Sequence, residues 1–281
     1  MHLLLEKIKY SLYGVFSPCE IKSVSRIICR DLLDICDTDY FLKNNIVLDT
    51  NREKLLFNSL ERIKRGEPIQ YVMGSVDFYG IHLTVDRRAL IPRPETSELV
   101  EWILYDNIKD YASILDIGTG SGCIAIALSA KKPNWNVTGW DISSQALSLA
   151  MENNKINHTS VNFHEYDILS NPKCDNQFDL IVSNPPYITR SEMLEMDKNI
   201  IDWEPELALF VPNHNALLFY SAITNFAIKN LKTDGTIYFE INPIFAENLV
   251  DTLKAYGFLD VVVKKDISGK ERMIRASRKH D

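Results

Sequence analysis

The amino-acid sequence predicts a mixed α/β protein, in which a parallel sheet with packed helices follows a small helical bundle and a β-hairpin. From about residue 113 onward, short apolar strands alternate with helical segments, which is typical of a parallel sheet. Residues 1–66 carry apolar residues at helical spacing, and residues 67–95 form short alternating runs punctuated by glycine. The composition, 46% hydrophobic and 25% charged over 281 residues, is that of a globular chain with a core.

Two helix starts are recognisable in the first 66 residues. Ser17–Glu20 has a capping-box pattern with proline at the first helical position. Thr50–Glu53 has the same pattern ahead of a second helix, and Gly66 is well placed to end it. These signals predict a helical domain over residues 1–66.

The next segment, residues 67–95, is predicted to be a β-hairpin linker. Gly74 and Gly80 interrupt it, and Pro92 and Pro94 hold its end in an extended shape ahead of the next helix. The candidate strands are Gln70–Met73, Val76–Phe78 and Ile81–Val85.

Residues 96–281 contain the predicted α/β domain. Its strands are Ile114–Asp116, Val137–Trp140, Val161–Phe163, Asp179–Ser183, Thr236–Ile241, Val261–Val263 and Met273–Ala276, and its helices are Cys123–Ala130, Gln145–Asn154, Leu217–Lys229 and Phe245–Tyr256. The last two strands are separated only by a short turn at Ser268-Gly269, which leaves no room for a helical crossover. The sheet should therefore end in an antiparallel hairpin.

Charge and cysteine content exclude several classes of protein. The net charge of −7 gives no bulk attraction to phosphate backbones, so we expect no direct nucleic-acid partner. The five cysteines are scattered and include no CxxC pair, and neither histidines nor carboxylates have metal-ligand spacing, so we expect no metal site. No signal peptide or membrane span is recognisable, which predicts a cytoplasmic protein with no membrane partner.

A glycine-rich loop follows the first strand of the predicted sheet, at the edge where open α/β sheets bind ligands. Asp116 ends that strand, and the loop residues are Gly118, Thr119, Gly120, Ser121 and Gly122. A carboxylate in this position would repel a pyrophosphate but attract the ammonium group of an amino-acid moiety. The alternative is that Gly118–Gly122 is only a tight strand-to-helix turn.

The ends of the next two strands carry residues suited to an adenosine. Asp141 lies about 20 residues further along, where a carboxylate can accept hydrogen bonds from both ribose hydroxyls. Asp167 can accept from the exocyclic amine of adenine, and Ile168 can form an apolar wall. Together with the loop, these residues indicate S-adenosylmethionine rather than NAD. For Asp141 the alternative is a helix cap before Ser143.

The sequence Asn184-Pro185-Pro186-Tyr187 follows a fully apolar strand. The prolines stiffen the turn, so the Asn184 side-chain oxygen and the Pro185 carbonyl can face a pocket as hydrogen-bond acceptors. Two acceptors and an aromatic ring from Tyr187 would hold a planar NH2 group in line with a methyl donor. The alternative is a strand-ending turn without function.

The chain resembles the peptide chain release factor glutamine methyltransferases, the HemK/PrmC family. Asn-Pro-Pro-Tyr occurs in amino methyltransferases that act on DNA adenine, rRNA guanine or protein glutamine, and so identifies a chemistry rather than a substrate. The motifs that favour this family are Gly66–Gly74, Asp77–Gly80, Leu90–Thr96, Trp203–Leu209 and Lys265–Arg272. The resemblance extends over essentially the whole chain.

The resemblance implies a Rossmann-like, seven-stranded class I methyltransferase domain that uses S-adenosylmethionine. The implied activity is methylation of the side-chain amide nitrogen of the glutamine in the Gly-Gly-Gln motif of class I release factors, by a protein that we expect to be a monomer. It implies that the glycine loop, Asp141, Asp167, Ile168 and Asn184 bind the donor and that Asn184–Tyr187 bind the glutamine. Arg93 and Glu95 would border the same pocket, with a structural salt bridge as the alternative.

Two stretches depart from the family pattern. Phe210–Ala216 stands where the family has a glycine-rich turn, and Asn242 stands where it has glycine after Glu-Ile. Two other functions remain open at this point. One is a nucleic-acid amino methyltransferase acting on adenine N6 of DNA or guanine N2 of rRNA. The other is a non-catalytic binding module that has kept the S-adenosylmethionine fold.

Overall fold

The computed structural model describes residues 1–42, 44 and 46–278. The helices are α1 (His2–Leu12), α2 (Pro18–Ile27), α3 (Asp37–Leu42), α4 (Thr50–Lys64), α5 (Ile69–Met73), α6 (Pro94–Asp106), α7 (Cys123–Lys131), α8 (Ser144–Ile156), α9 (Lys198–Trp203), α10 (Glu206–Leu209), α11 (Leu218–Asn230) and α12 (Ala246–Ala255). The strands are β1 (Ser75–Phe78), β2 (Ile81–Thr84), β3 (Ser113–Ile117), β4 (Asn136–Asp141), β5 (Asn162–Glu165), β6 (Phe178–Ser183), β7 (Ile188–Thr189), β8 (Phe210–Val211), β9 (Leu231–Glu240), β10 (Leu259–Lys265) and β11 (Glu271–Ser277).

The described residues form two compact units. The smaller contains Met1–Ser75 and Lys198–Trp203, and the larger contains Val76–Asp197 and Glu204–Asp281 as far as they are described. The predicted hairpin linker therefore belongs to the larger unit from Val76 onward. Helix α9, far along the sequence, belongs to the smaller unit.

The smaller unit is helical, and its first helix boundary follows the sequence signal. Ser17 accepts a hydrogen bond from the Glu20 amide and Glu20 accepts one from the Ser17 amide, so the predicted capping box is present. The prediction of a second capping box, at Thr50–Glu53, was wrong, because Asp49 is the cap. Its Oδ1 accepts hydrogen bonds from the amides of Asn51 and Arg52, both at 2.9 Å. An aspartate one residue earlier satisfies the free amides of the first turn and places Thr50 inside α4.

A further prediction for this region was wrong. Gln70–Met73 was expected to be a strand, but it lies within α5, which Gly74 ends in the left-handed conformation. Tyr71 and Val72 are buried there, and Val72 is part of the apolar core of the smaller unit. Burial of one helical face outweighed the local β-propensity of these residues.

The larger unit contains a seven-stranded sheet in the order β10-β11-β9-β6-β3-β4-β5. Neighbouring strands from β9 to β5 are parallel, whereas β11 is antiparallel to both β9 and β10. The predicted α/β fold and its antiparallel end are confirmed. Leu259 to Lys265 and Glu271 to Ser277 form the terminal hairpin.

The sheet is buried on both faces, which explains its apolar strands. On β3 and β6, Ile114, Leu180 and Val182 pack on the side that includes residues of α6 and α7. Leu115 and Ile181 pack on the opposite side, against residues of α11 and α12. The two-residue period of the strands thus separates two hydrophobic clusters, one on each face.

The β1–β2 hairpin is docked on α8 by two asparagines one helical turn apart. It turns at Tyr79 and Gly80, which both have positive φ, as tight hairpin turns require. Asn153 accepts from the Thr84 amide at 2.8 Å and donates to the Thr84 carbonyl at 3.0 Å, and Asn157 pairs with His82 in the same way. The two side chains therefore act as a neighbouring strand toward β2.

We predict that Asn153→Ala lowers the free energy of unfolding by roughly 2–4 kcal/mol, because it leaves buried backbone groups of two segments without partners. Asn153 is fully buried and also donates to the carbonyl of Ser121 in the glycine loop. The matched control is Asn157→Ala, at the half-exposed end of α8, for which we expect a loss of roughly 0.5–1.5 kcal/mol. Urea unfolding measures both, and equal losses would contradict the prediction.

Candidate active site

Polar side chains occupy the carboxyl ends of four neighbouring strands in the larger unit. In sheet order they are Glu240 on β9, Ser183 on β6, Asp116 on β3 and Asp141 on β4. A cleft opens at this edge. Its lining includes residues 88–93, 117–121, 141–143, 166–169 and 183–186, together with Thr96, Cys123, Ile124, Ala146, Pro205, Leu207, Ala208, Phe219 and Ile223.

The glycine loop is folded back onto the end of β4. The amides of Gly118 and Thr119 both donate to the Trp140 carbonyl, at 2.8 and 2.9 Å. Gly118 and Gly120 have positive φ, which only glycine adopts readily, and both line the cleft with Thr119 and Ser121. At the two glycines the loop lets a ligand approach its backbone closely.

Gly122 lies behind the cleft rather than in its lining. It has a φ of 82°, and a Cβ there would come within 2.8 Å of Ile126 and 3.2 Å of Ala150. A side chain at this position would collide with Ile126 on α7 and Ala150 on α8, so the close packing of these helices requires glycine. The structure therefore gives Gly122 a packing role beside its place in the loop.

Asp116, which the sequence indicated as a ligand for the donor, is fully buried and does not line the cleft. Its Oδ2 accepts from the Thr119 hydroxyl at 2.7 Å, while in the described part of the chain its Oδ1 has no hydrogen-bond partner. Burial raises the pKa of Asp116 from its ordinary 3.8 to about 7. In this structure the carboxylate supports the loop through Thr119 and stands behind the wall.

Asp141 does line the cleft, and it also organises the wall. Its Oδ2 accepts from the Gly120 amide at 2.8 Å and its Oδ1 from the Ser143 amide at 2.9 Å. The predicted alternative of a cap is partly correct, although the cap of α8 itself is Ser143, which accepts from Ala146. Burial raises the pKa of Asp141. Each carboxylate oxygen retains a second lone pair for a hydroxyl donor.

The wall beyond β5 is aromatic and apolar. Asp167 and Ile168 both line the cleft, and Asp167 Oδ1 accepts from the Leu169 amide at 2.8 Å. The ring of Tyr166 lies 4.3 Å from that of Trp140, centroid to centroid. A flat group could lie against this wall with a carboxylate at its edge.

The tetrapeptide reaches the cleft through its first three residues. Asn184, Pro185 and Pro186 line it, and Ser183 anchors the strand end by donating to the Ile117 carbonyl at 2.6 Å. Tyr187, predicted to offer its ring, is not in the lining: it is half-buried, and its hydroxyl lies 3.3 Å from Glu240 Oε1. Burial raises the pKa of Tyr187.

Two residues that sequence reasoning did not single out connect the ends of the tetrapeptide. Thr96 on α6 donates to Glu240 Oε2 at 2.6 Å and accepts from Asn184 Nδ2 at 3.3 Å. Glu240 is buried, which raises its pKa, and its other oxygen accepts from Tyr187. The only sequence signal for either was its place in a family-like motif.

Arg93 and Glu95 are separated by the structure. Arg93 lines the cleft and pairs with Glu204 at 2.5 Å, so it does form a salt bridge, but with a residue distant in sequence. Glu204 is buried and also accepts from the Ile91 amide at 3.2 Å, which fixes the extended segment before α6. Glu95 does not line the cleft.

Both departures from the family pattern are accommodated by hydrogen bonds. Asn242 donates to the Tyr187 carbonyl at 3.3 Å and to Glu192 at 2.9 Å, and caps the next turn through Ile244. In the Phe210–Ala216 stretch, β8 pairs with β7 just after the tetrapeptide. These contacts tie both stretches to the segment that follows Tyr187.

The residues of the cleft fit a cationic nucleoside-type ligand such as S-adenosylmethionine. Gly118 and Gly120 offer backbone approach, Asp141 offers free lone pairs, and the edge holds carboxylates whose pKa burial has raised. A positive ligand would offset that penalty.

Across the described ranges no group of His, Cys, Asp or Glu is arranged to hold a metal ion. No helix among the described residues is long and apolar enough to span a membrane.

Comparison with known proteins gives consistent results. The family model of the methyltransferase small domain matches residues 97–204, and that of the PrmC N-terminal domain matches residues 20–74. Release factor glutamine methyltransferase of Bacteroides thetaiotaomicron is 41% identical over 99% of this chain and 100% of the relative. The protein of that name from Lactococcus lactis is 46% identical over 79% of this chain and 81% of the relative.

Solved structures share the fold at low sequence identity. A methyltransferase from Pyrococcus furiosus superimposes with a TM-score of 0.53 at 14% identity, covering 83% of this chain and 100% of that chain. A Thermus thermophilus 16S rRNA N2 G1207 methyltransferase, in complex with AdoMet and guanosine, gives a TM-score of 0.52 at 17% identity, over 73% of this chain and 50% of that chain. These likenesses establish the methyltransferase fold alone.

We predict that Asp116→Asn gains stability relative to wild type as pH rises through the window in which Asp116 ionises. Because the folded state binds the Asp116 proton more tightly than the unfolded state, the contribution of Asp116 to wild-type stability falls as pH rises from about 4 to about 7. The asparagine variant lacks this loss, so its stability relative to wild type should rise by roughly 2–4 kcal/mol across that window. Urea unfolding at several pH values measures it, with the exposed Asp251→Asn on α12 as control. A difference independent of pH would contradict it.

Proposed function

The chain belongs to the family of release factor glutamine methyltransferases, and on that basis we propose that it methylates the glutamine of the Gly-Gly-Gln motif in class I peptide chain release factors. The methyl group comes from S-adenosylmethionine and is transferred to the side-chain amide nitrogen, N5. One observation supports the proposal above all: the glycine loop and Asn184–Pro186 line the same cleft, so donor and amide sites adjoin.

The donor is bound by the loop and by the ends of β4 and β5. S-adenosylmethionine, when bound, supplies an electrophilic methyl group on a positively charged sulfur. Asp141 would accept from the ribose hydroxyls, while its bonds to Gly120 and Ser143 keep its carboxylate in place. Asp167 and Ile168 would hold the adenine, and Asp116 would act from behind the wall through Thr119.

The glutamine amide is bound by acceptors. Asn184 Oδ1 and the Pro185 carbonyl would accept from its two hydrogens, which fixes the plane of the NH2 group. As the nitrogen attacks, positive charge develops on it and these bonds strengthen, so the acceptors stabilise the transition state more than the ground state. The alkylated nitrogen loses its proton readily, and no dedicated base is needed.

The remaining residues of the predicted site have supporting roles in this proposal. Pro186 stiffens the turn, and Tyr187 offers its ring only if the segment adjusts on substrate binding, because in this structure its hydroxyl is held by Glu240. Arg93, held by Glu204, borders the entrance of the cleft. Glu95 does not line the cleft, and its negative charge near Glu240 raises the pKa of Glu240.

The two alternatives have less support. A nucleic-acid amino methyltransferase would benefit from a basic surface, whereas this chain has a net charge of −7. A non-catalytic module would have no need of an Asn184 side chain held in a buried hydrogen-bond network beside the donor cleft. We therefore place the protein in the cytoplasm, where release factors act, as a monomer without nucleic-acid or membrane partners.

We further propose that residues 1–66 recognise the release factor and residues 96–281 perform the methyl transfer. A single glutamine offers too little surface for a specific protein complex, so a second contact area is needed. On α1, the side chains of Leu3 and Tyr10 are each 88% exposed. They lie seven residues apart, on one face of the helix, and make an apolar contact surface.

We predict that Asn184→Ala lowers kcat for release factor methylation by roughly 10²–10³, with a smaller effect on KM, because an acceptor that strengthens in the transition state is lost. The assay follows labelled methyl transfer to intact release factor. A factor whose motif glutamine is replaced by alanine, duplex DNA and rRNA are the parallel substrates. Calorimetry measures donor binding by the same variant, which separates a lost contact with the donor from a lost contribution to catalysis. Methylation of DNA or rRNA in place of the factor would reject the proposed function.

We predict that Leu3→Ala/Tyr10→Ala raises KM for intact release factor by roughly tenfold or more, because a tyrosine that becomes buried in an interface commonly carries a large share of the binding free energy. KM for the donor should stay within about twofold. Ile108→Ala/Tyr111→Ala is the matched control, because these side chains are 85% and 75% exposed but lie outside the proposed recognition domain. If both double variants behave alike, residues 1–66 do not recognise the factor through this face.

A further inference from the structure

In the hydrogen bonds around the tetrapeptide, the donor and the acceptor can be assigned from the chemistry of each group. The Thr96 hydroxyl donates its single hydrogen to Glu240 Oε2, 2.6 Å away. The Thr96 oxygen can then only accept from its other neighbour. That neighbour is the Asn184 amide, 3.3 Å away, which must present Nδ2 rather than Oδ1.

The orientation of Asn184 decides what the cleft offers to a substrate. Asn184 lines the cleft, and with Nδ2 turned toward Thr96 the acceptor Oδ1 is free to bind a donor there. If the amide turned over, the NH2 group would face the cleft instead. Two NH2 groups are both hydrogen-bond donors, so neither can accept from the other. The substrate NH2 group would then find no acceptor at Asn184.

We propose that Thr96 is a positioning residue for methyl transfer: with its direction set by Glu240, it holds the Asn184 amide in the orientation that presents Oδ1 to the substrate NH2 group. This inference rests on the proposed function and deepens it. Thr96 does not have to touch the reacting atoms in this role. Its effect passes through Asn184.

The positions of Thr96 and Glu240 suit such a role because both are fixed. Thr96 is 2% exposed and lies in the first turn of α6, directly after Pro94 and Glu95. Glu240 is 1% exposed, at the end of a central strand, and its backbone carbonyl accepts from the Tyr220 hydroxyl at 3.0 Å. Rigid elements on two sides therefore define where the Asn184 amide is held.

The groups around Glu240 favour its role as the final hydrogen-bond acceptor in the series that runs from Asn184 through Thr96 to Glu240. Arg272 lies close enough for its positive charge to favour the ionised form of Glu240, although burial raises the pKa overall. Tyr187 donates to Oε1 at 3.3 Å, so both carboxylate oxygens already accept hydrogen bonds. The donor direction from Thr96 is thus the one that satisfies the buried carboxylate.

The test compares Thr96→Val, which keeps the shape but removes the hydroxyl, with Thr96→Ser, which keeps the hydroxyl. Thr96→Val should lower kcat for release factor methylation roughly 10- to 100-fold, because the Asn184 amide loses its preferred orientation. KM for S-adenosylmethionine should stay within about twofold, and Thr96→Ser should retain most of the wild-type kcat. Thr96→Ala replaces the valine variant if that variant does not fold, as judged by urea unfolding.

A double-mutant cycle separates positioning from general stability. If Thr96 acts through Asn184, adding Thr96→Val to Asn184→Ala should lower kcat by less than about twofold further. Wild-type kcat with Thr96→Val, or a full additional loss in the Asn184→Ala background, would overturn the inference. Absence of release factor methylation by the wild-type enzyme would instead reject the proposed function, so the two failures are distinguishable.

Discussion

The site depends on the need to satisfy polar side chains that the fold buries at one edge of its sheet. Four neighbouring parallel strands have a polar side chain among their last two residues, namely Glu240, Ser183, Asp116 and Asp141, and a buried polar group without partners costs free energy. Most of their hydrogen bonds go to the loops that follow the strands. The hydrogen bonds that satisfy these polar side chains therefore also hold the loops that form the wall of the cleft.

Each strand end fixes a different part of the wall. Asp141 holds Gly120, Asp116 holds Thr119, and Ser183 joins the end of β6 to β3. Glu240 reaches Thr96 and Tyr187. Burial raises the pKa of all three carboxyl groups, so burial disfavours negative charge at this edge and a cationic donor would relieve that penalty.

The sequence predicted those features whose signal is local. The alternation of strands and helices, the glycine loop, Asn184–Pro186, Asp141 and the Ser17 capping box all depend on neighbouring residues, and the structure has the loop and Asn184 in one cleft. Local signals failed where a competing cap or burial decided the outcome. Asp49 displaced the predicted cap at Thr50, and α5 formed where a strand was expected.

What only the tertiary structure decided are contacts between residues far apart in sequence. Thr96 and Glu240 are 144 residues apart in sequence and Arg93 and its partner Glu204 are 111 residues apart, and no periodicity or motif spacing encodes such pairs. The same holds for Asp116, which has the right residue type and position but stands behind the wall. By itself the sequence determined the fold class and the local conformation of the two site motifs, because strand period, glycine conformation and proline stiffness are properties of short segments. Which atoms face the cleft was decided by packing, because that depends on which distant group satisfies each buried donor or acceptor.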